Sequence, residues 1–124
     1  MDLGENVEDR VAMTITRGQA YVRAGADLVF VPGLVDLDII RRVAPAVTGR
    51  LSLMALPGAP PAGALFAAGA RRVSLGNVAM LATLGALRDI AAEVKKTGAW
   101  TSMERTFFGF AEAAALFTRP RPSL

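Results

Sequence analysis

The sequence predicts an α/β fold in which about three parallel strands alternate with flanking helices. Three observations predict it. Apolar residues recur at helical spacing near the start of the chain and again across 78–97. Three short, nearly continuous apolar runs, 26–31, 51–56 and 72–75, each end in a glycine-containing turn. Helix-like stretches separate these runs, and strands alternating with helices form parallel sheets with right-handed crossovers.

The elements follow in order. Asn6 is placed to cap a first helix, with Glu8 and Asp9 in the first turn, where the helix dipole favours acids. Glu5, just ahead, has the same explanation. Val7, Val11 and Ile15 repeat every four residues, with Ala12 beside them, and so mark one apolar face. Arg23 and Gly25 end the helix. Ala26-Asp27-Leu28-Val29-Phe30-Val31 reads as a strand buried on both faces, closed by Pro32-Gly33. Asp36 or Asp38 can cap a short helix carrying Ile39, Ile40 and Val43, and Pro45 disfavours its continuation past Ala44. Leu51 to Leu56 is the second strand, closed by Pro57-Gly58. Ala62 to Ala68 is a short helix between Pro61 and Gly69. Arg72 to Leu75 is the third strand, closed by Gly76-Asn77. A long helix over 78–97 carries Met80, Leu81, Leu84, Leu87, Ile90 and Val94 on one side and stops at Gly98. A linker with Trp100 then leads to a last helix around Phe110 to Phe117.

Three strands are few for such a sheet. Neither outer strand carries the Lys or Pro that usually protects an edge. The chain is therefore expected to be a piece of a larger barrel, or to pair with something.

Composition narrows the chemistry. The 124 residues suffice for one domain, with 52% hydrophobic and 20% charged residues and a mean hydropathy of +0.38. That is too apolar for a disordered chain. Histidine and cysteine are absent. A Ser-His-Asp triad, a thiol nucleophile, disulfides and Cys/His zinc sites are thereby excluded. The net charge of +3 comes from 14 basic and 11 acidic side chains, and twelve of the basic ones are Arg. These Arg residues are scattered, and one Trp and one Tyr offer little base stacking, so no nucleic-acid partner is expected. The tail Arg119-Pro120-Arg121-Pro122 reads as a frayed end. Residues 1–10 are acidic and polar, unlike a secretory signal. Leu51 to Ala70 holds twenty uncharged residues, but Pro57, Gly58, Pro60, Pro61, Gly63 and Gly69 break it, so no membrane span is expected. A soluble, cytoplasmic protein is the expectation.

Ligands of parallel α/β folds lie at the carboxyl ends of the strands. Here those ends are Pro32-Gly33, Leu56-Pro57-Gly58 and Gly76-Asn77, all glycine-containing and uncharged. Gly76-Asn77, ahead of the long helix, either presents backbone N–H groups to an anion or forms a plain turn. Asp36 and Asp38 lie near this rim, but on a forming helix they diverge, and capping explains them better than metal binding. Asp27, Arg71 and Arg72 precede strands and so sit at the opposite end. Asp89, Glu93, Glu104 and Glu112 read as solvated helix residues, and the Met residues read as core.

Several runs together resemble the C-terminal half of the isocitrate lyase / phosphoenolpyruvate mutase superfamily. They are Arg17-Gly18-Gln19-Ala20-Tyr21 with Ala24-Gly25-Ala26-Asp27, then Phe30-Val31-Pro32-Gly33-Leu34, then Ala55-Leu56-Pro57-Gly58-Ala59-Pro60. Ala68-Gly69-Ala70-Arg71-Arg72-Val73-Ser74-Leu75-Gly76 and Phe110-Ala111-Glu112 follow in order. The resemblance covers about residues 5 to 117. It implies an eight-stranded (β/α) barrel of TIM type, of which residues 1–124 form a single C-terminal half-barrel holding strands six, seven and eight. It also implies a last helix, about 106–118, exchanged with a neighbouring subunit, and hence a homo-oligomer.

The resemblance further implies magnesium-dependent cleavage of C–C bonds in 2-hydroxy acids, or P–C rearrangement of small keto acids, through a metal-stabilised enolate. The family's magnesium-binding acids, its Lys-Cys-Gly-His type loop and a strand-five Arg align upstream of Met1. Cleaving lyases carry a Glu where this chain has Gly33, and an Asn where it has Met54, or Ser52 if shifted. No catalytic or metal-binding residue therefore carries over, and no cofactor is expected in this chain by itself. What carries over is a substrate-facing rim of Pro32, Gly33, Met54, Leu56, Pro57, Gly58, Gly76 and Asn77. A small carboxylate substrate is expected only when the missing half is supplied. The other expectations left open are a non-catalytic self-association module and a small anion-binding α/β domain using Gly76-Asn77.

Overall fold

A computed structural model describes residues 6–118. Glu5 and the Arg119-to-Pro122 tail lie outside the described residues. The elements are α1 (Val7–Arg23), β1 (Val29–Phe30), α2 (Leu37–Ala46), β2 (Leu51–Met54), α3 (Ala62–Ala67), β3 (Arg72–Ser74), α4 (Val78–Thr97), α5 (Thr101–Thr106) and α6 (Phe110–Thr118). They divide into two compact units, Met1–Ala79 and Met80–Leu124.

The first unit holds the sheet. Its strands run parallel in the order β1-β2-β3. Val29 pairs with Leu51 and Leu53 with Val73, so these four share one face. Phe30, Ser52 and Arg72 form a row on the other face, with Met54 and Ser74 in the next row. The helices cover the first face. Val29, Leu51 and Leu53 are buried there with Val11 of α1, Ile40, Val43 and Ala44 of α2, and Leu65 of α3. The reading of the first strand as buried on both faces therefore needs correction, because Phe30 is 51% exposed. Alternate residues face opposite sides, and only one side of β1 has helices on it.

Local signals explain most boundaries. The Asn6 side chain accepts a hydrogen bond from the Glu8 amide. Asp36, rather than Asp38, caps α2 by accepting from the Asp38 and Ile39 amides at 2.9 and 3.0 Å. Pro45 does not end α2, which runs on to Ala46. A proline in the last turn forfeits only one helix bond, and the Val47 N–H still reaches the Val43 and Ala44 carbonyls. Gly18 is buried on the sheet-facing side of α1, where a Cβ would come within 2.6 Å of Val47 Cγ1. Glycine there lets α1 approach β1 and α2 closely.

A bidentate ion pair ties α1 to α2. Arg42 Nη1 donates to Glu8 Oε1 at 2.9 Å, and Nη2 to Oε2 at 2.6 Å. The hydrogen bonds and charge of Arg42 hold the Glu8 carboxyl below its ordinary range.

The second unit is helical. The stretch read as a linker contains α5, whose Ser102 amide donates to Glu93 Oε2 at 2.8 Å. That bond, chiefly, lowers the Glu93 pKa. The apolar residues predicted for one side of α4 are not buried, and Met80, Leu81, Leu84 and Leu87 are exposed.

Two outcomes test this packing. Gly18→Ala is expected to destabilise the chain by about 1–3 kcal/mol through overpacking against Val47, read from urea unfolding. The Glu8 carboxyl titrates lower folded than unfolded, so its pairing stabilises above the unfolded carboxyl's range and is lost as pH falls through the folded value. Glu8→Gln should therefore lower the unfolding midpoint at neutral pH, and the gap from the parent should close on acidification.

Candidate functional site

Because the three strands are parallel, their carboxyl ends meet at one edge of the sheet. Pro32 and Gly33 follow β1, Met54 is the last residue of β2, Leu56-Pro57-Gly58 follows it, and Gly76-Asn77 joins β3 to α4. Met54 and Leu56 are half-buried, and the other six are exposed. All eight predicted rim residues therefore lie at the same end, and none is charged.

The turns are built by backbone chemistry. Leu56 to Ala59 closes with the Ala59 N–H donating to the Leu56 carbonyl at 2.9 Å, and Gly58 sits at φ +83°. Pro followed by a positive-φ residue is the signature of a type II turn, which glycine adopts without strain. At Gly76 a Cβ would collide with the Met54 thioether, so β2 and β3 end in close contact. The Val78 N–H donates to the Leu75 carbonyl at 3.0 Å, so the Gly76-Asn77 turn is closed by its own chain at that amide.

The acids near the rim do not make a magnesium site. The Asp36 carboxylate is engaged by backbone amides, and Asp38 pairs with Arg41 at 2.6 Å. No three acids converge among the described residues. The donor set here does not fit a hard divalent cation, which wants several oxygens in one shell.

Sequence reasoning set Arg72 apart from any site and named Ser52 only as an alternative alignment position. The structure joins them. Arg72 Nη1 donates to Ser52 Oγ at 3.1 Å across the face opposite the helices, where Ser52 is 1% exposed. Ser74 Oγ on the same face donates to the Leu53 carbonyl at 3.3 Å. Period-two alternation, applied to all three strands in register, was the signal for this polar row.

A separate open cleft of about 350 Å³ lies on the helix-covered side, between α1, the β1–α2 loop and α2. Pro32 and Gly33 touch it, whereas the rim residues of β2 and β3 do not.

Parallel strands each followed by a helix, with a glycine-rich rim at the carboxyl ends, form a section of a parallel (β/α) fold. The comparisons narrow this. Residues 2–95 match the family described as phosphoenolpyruvate phosphomutase. The chain belongs to that family, within the isocitrate lyase / phosphoenolpyruvate mutase superfamily. A solved structure assigned as a lyase/mutase from Burkholderia cenocepacia J2315 is 32% identical, with a TM-score of 0.80, over 89% of this chain and 40% of that one. A second from that organism, assigned as a phosphonomutase, is 31% identical with a TM-score of 0.61, over 77% and 37%. A phosphoenolpyruvate phosphomutase from Streptomyces platensis subsp. rosaceus shares the fold, at 24% identity and a TM-score of 0.65, over 87% and 39%. No curated protein matches the chain. The chain thus spans about 40% of the length of these relatives. No helix among the described residues is long and apolar enough to cross a membrane.

The close contact at the rim has a testable consequence. Gly76→Ala should destabilise by about 1–3 kcal/mol, from positive-φ strain and collision with Met54. Adding Met54→Ala should recover part of the collision cost, measured as the coupling in a double-mutant cycle.

Proposed function

We propose that this chain is the closing section of a lyase/phosphomutase barrel and takes part in chemistry on small 2-hydroxy or 2-keto acids only with the barrel portion it does not contain. One observation carries this reading. Three parallel strands end in a rim without a charged side chain, in a chain matching 37–40% of its relatives. A site that forms an enolate from a carboxylate substrate needs a cation or strong donors where the charge develops. The described acids do not fit magnesium, so on this reading the metal and the catalytic groups belong to the rest of the barrel. The rim contributes shape instead. Its tight turns bring backbone close to a substrate, and Pro32, Leu56 and Pro57 exclude water from it. A cytoplasmic site of action belongs to the same proposal.

A second reading has an observation of its own. The second unit has no buried residue among those described, while Trp100, Phe107, Phe108, Phe110 and Phe117 are exposed, the last two by 84% and 90%. Large apolar patches of this kind mark association surfaces. We propose that two copies cover these helices in a homo-dimer, with or without a catalytic role.

Both readings give definite outcomes. The chain alone should show neither lyase nor mutase turnover with magnesium, and isothermal titration should find no stoichiometric micromolar magnesium site. Such a site would overturn the first reading. Light scattering after size exclusion should report a dimer or a multiple of it, dissociating when residues 106–124 are removed. A folded monomer at about 50 micromolar, far above the nanomolar range expected of an extensive apolar interface, would overturn the second.

A further inference from the structure

The cleft between α1 and α2 shares only Pro32 and Gly33 with the rim of the first reading and is otherwise outside both readings. Its walls are apolar, with Val11 and Val43 buried and Val31, Leu34, Val35 and Ile39 half-buried around it. The charged groups nearby are nearly all committed. Glu8 and Arg42 hold one another in a bidentate pair, fixing the two helices that form the walls. Asp38 pairs with Arg41. The Asp36 carboxylate, which lines the cleft, accepts two amides at the start of α2. Asp9 does not line the cleft. Arg10 does, and it alone of the charged groups lining the cleft has no ion-pair or side-chain hydrogen-bond partner among the described residues.

An apolar cleft of about 350 Å³ with one uncommitted guanidinium has a definite complement. Small-molecule sites begin near this volume and pair an apolar lining with a few polar groups that fix orientation. A guanidinium presents a planar fork of donors that matches a carboxylate. We propose that the cleft binds a small apolar monocarboxylate, its carboxylate on Arg10 and its hydrocarbon body between Val11, Leu34, Val35 and Ile39. The site lies on the side of β1 opposite Phe30, away from the sheet face that carries Ser52 and Arg72.

Phenylacetate is the probe, titrated into the ¹⁵N-labelled full chain and followed by amide shifts. Saturable shifts are expected at Val11, Thr14, Leu34, Val35 and Ile39, with a Kd of about 1 mM or tighter. Phenylacetamide, which keeps the shape and loses the charge, should bind about tenfold more weakly or worse. Arg10→Gln should weaken phenylacetate by a similar factor while leaving the spectrum's dispersion intact. Ile39→Phe, which fills the cleft, should abolish binding in a protein that keeps Arg10. No saturable shift at about 10 mM, equal binding of the amide, equal binding by Arg10→Gln, or shifts centred on Phe30 and Ser52 would each overturn the proposal.

Discussion

A parallel sheet is stable when both of its faces are covered, and this sheet covers one. That constraint organises the rest of the structure. On the helix side, Leu51, Leu53, Ile40, Val43 and Val47 are fully buried, Gly18 lets α1 come close, and the Glu8–Arg42 pair fastens α1 to α2. On the other side, Phe30 is exposed and Arg72 reaches across to Ser52. In a closed barrel that face is the interior, filled by side chains of every strand. The same sheet is thus a finished core on one side and an open one on the other.

Element order, parallel pairing and the long helix at 78–97 were legible because each rests on local signals. Caps, glycine stops and short apolar runs act within a few residues. The one-sided burial of the first strand was not legible, because a continuous apolar run such as Leu28 to Val31 shows what could be buried, not what covers it. α5 was hidden for a related reason. Residues 101–106 lack apolar periodicity, and the Glu93 carboxylate that meets the Ser102 amide lies nine positions away. At Pro45 a correct local rule was outweighed, because the last turn of a helix has little left to lose.

The rim was readable as a place but not as a chemistry. Parallel strands put Pro32-Gly33, Leu56-Pro57-Gly58 and Gly76-Asn77 at one edge whatever their side chains, so their location follows from topology alone. Their neutrality is the informative part. Backbone and small apolar groups shape a pocket, whereas charge development in a transition state calls for groups that none of these residues supplies. Asp36 and Asp38 show how capping and ion pairing absorb acids that proximity alone would nominate, since Asp36 accepts the first amides of α2 and Asp38 pairs with Arg41.

The two uncovered surfaces call for different partners. The bare sheet face carries the guanidinium of Arg72, and its strand residues Phe30, Ser52, Met54 and Ser74 supply no acid. Pressing this face against its own copy would bring a second guanidinium into an apolar setting with no carboxylate to meet it, and burying unpaired charge is strongly unfavourable. A covering segment that carries an acid would instead pair with Arg72 and close the row. The helices of the second unit have no such restriction. Phe107 and Phe110 already meet edge to face at 5.6 Å, and the exposed charges near them in sequence, Glu104, Arg105 and Glu112, are of both signs and can pair across copies. The proposed self-association therefore suits the helices, while the sheet face suits the complementary barrel portion that the proposed function calls for.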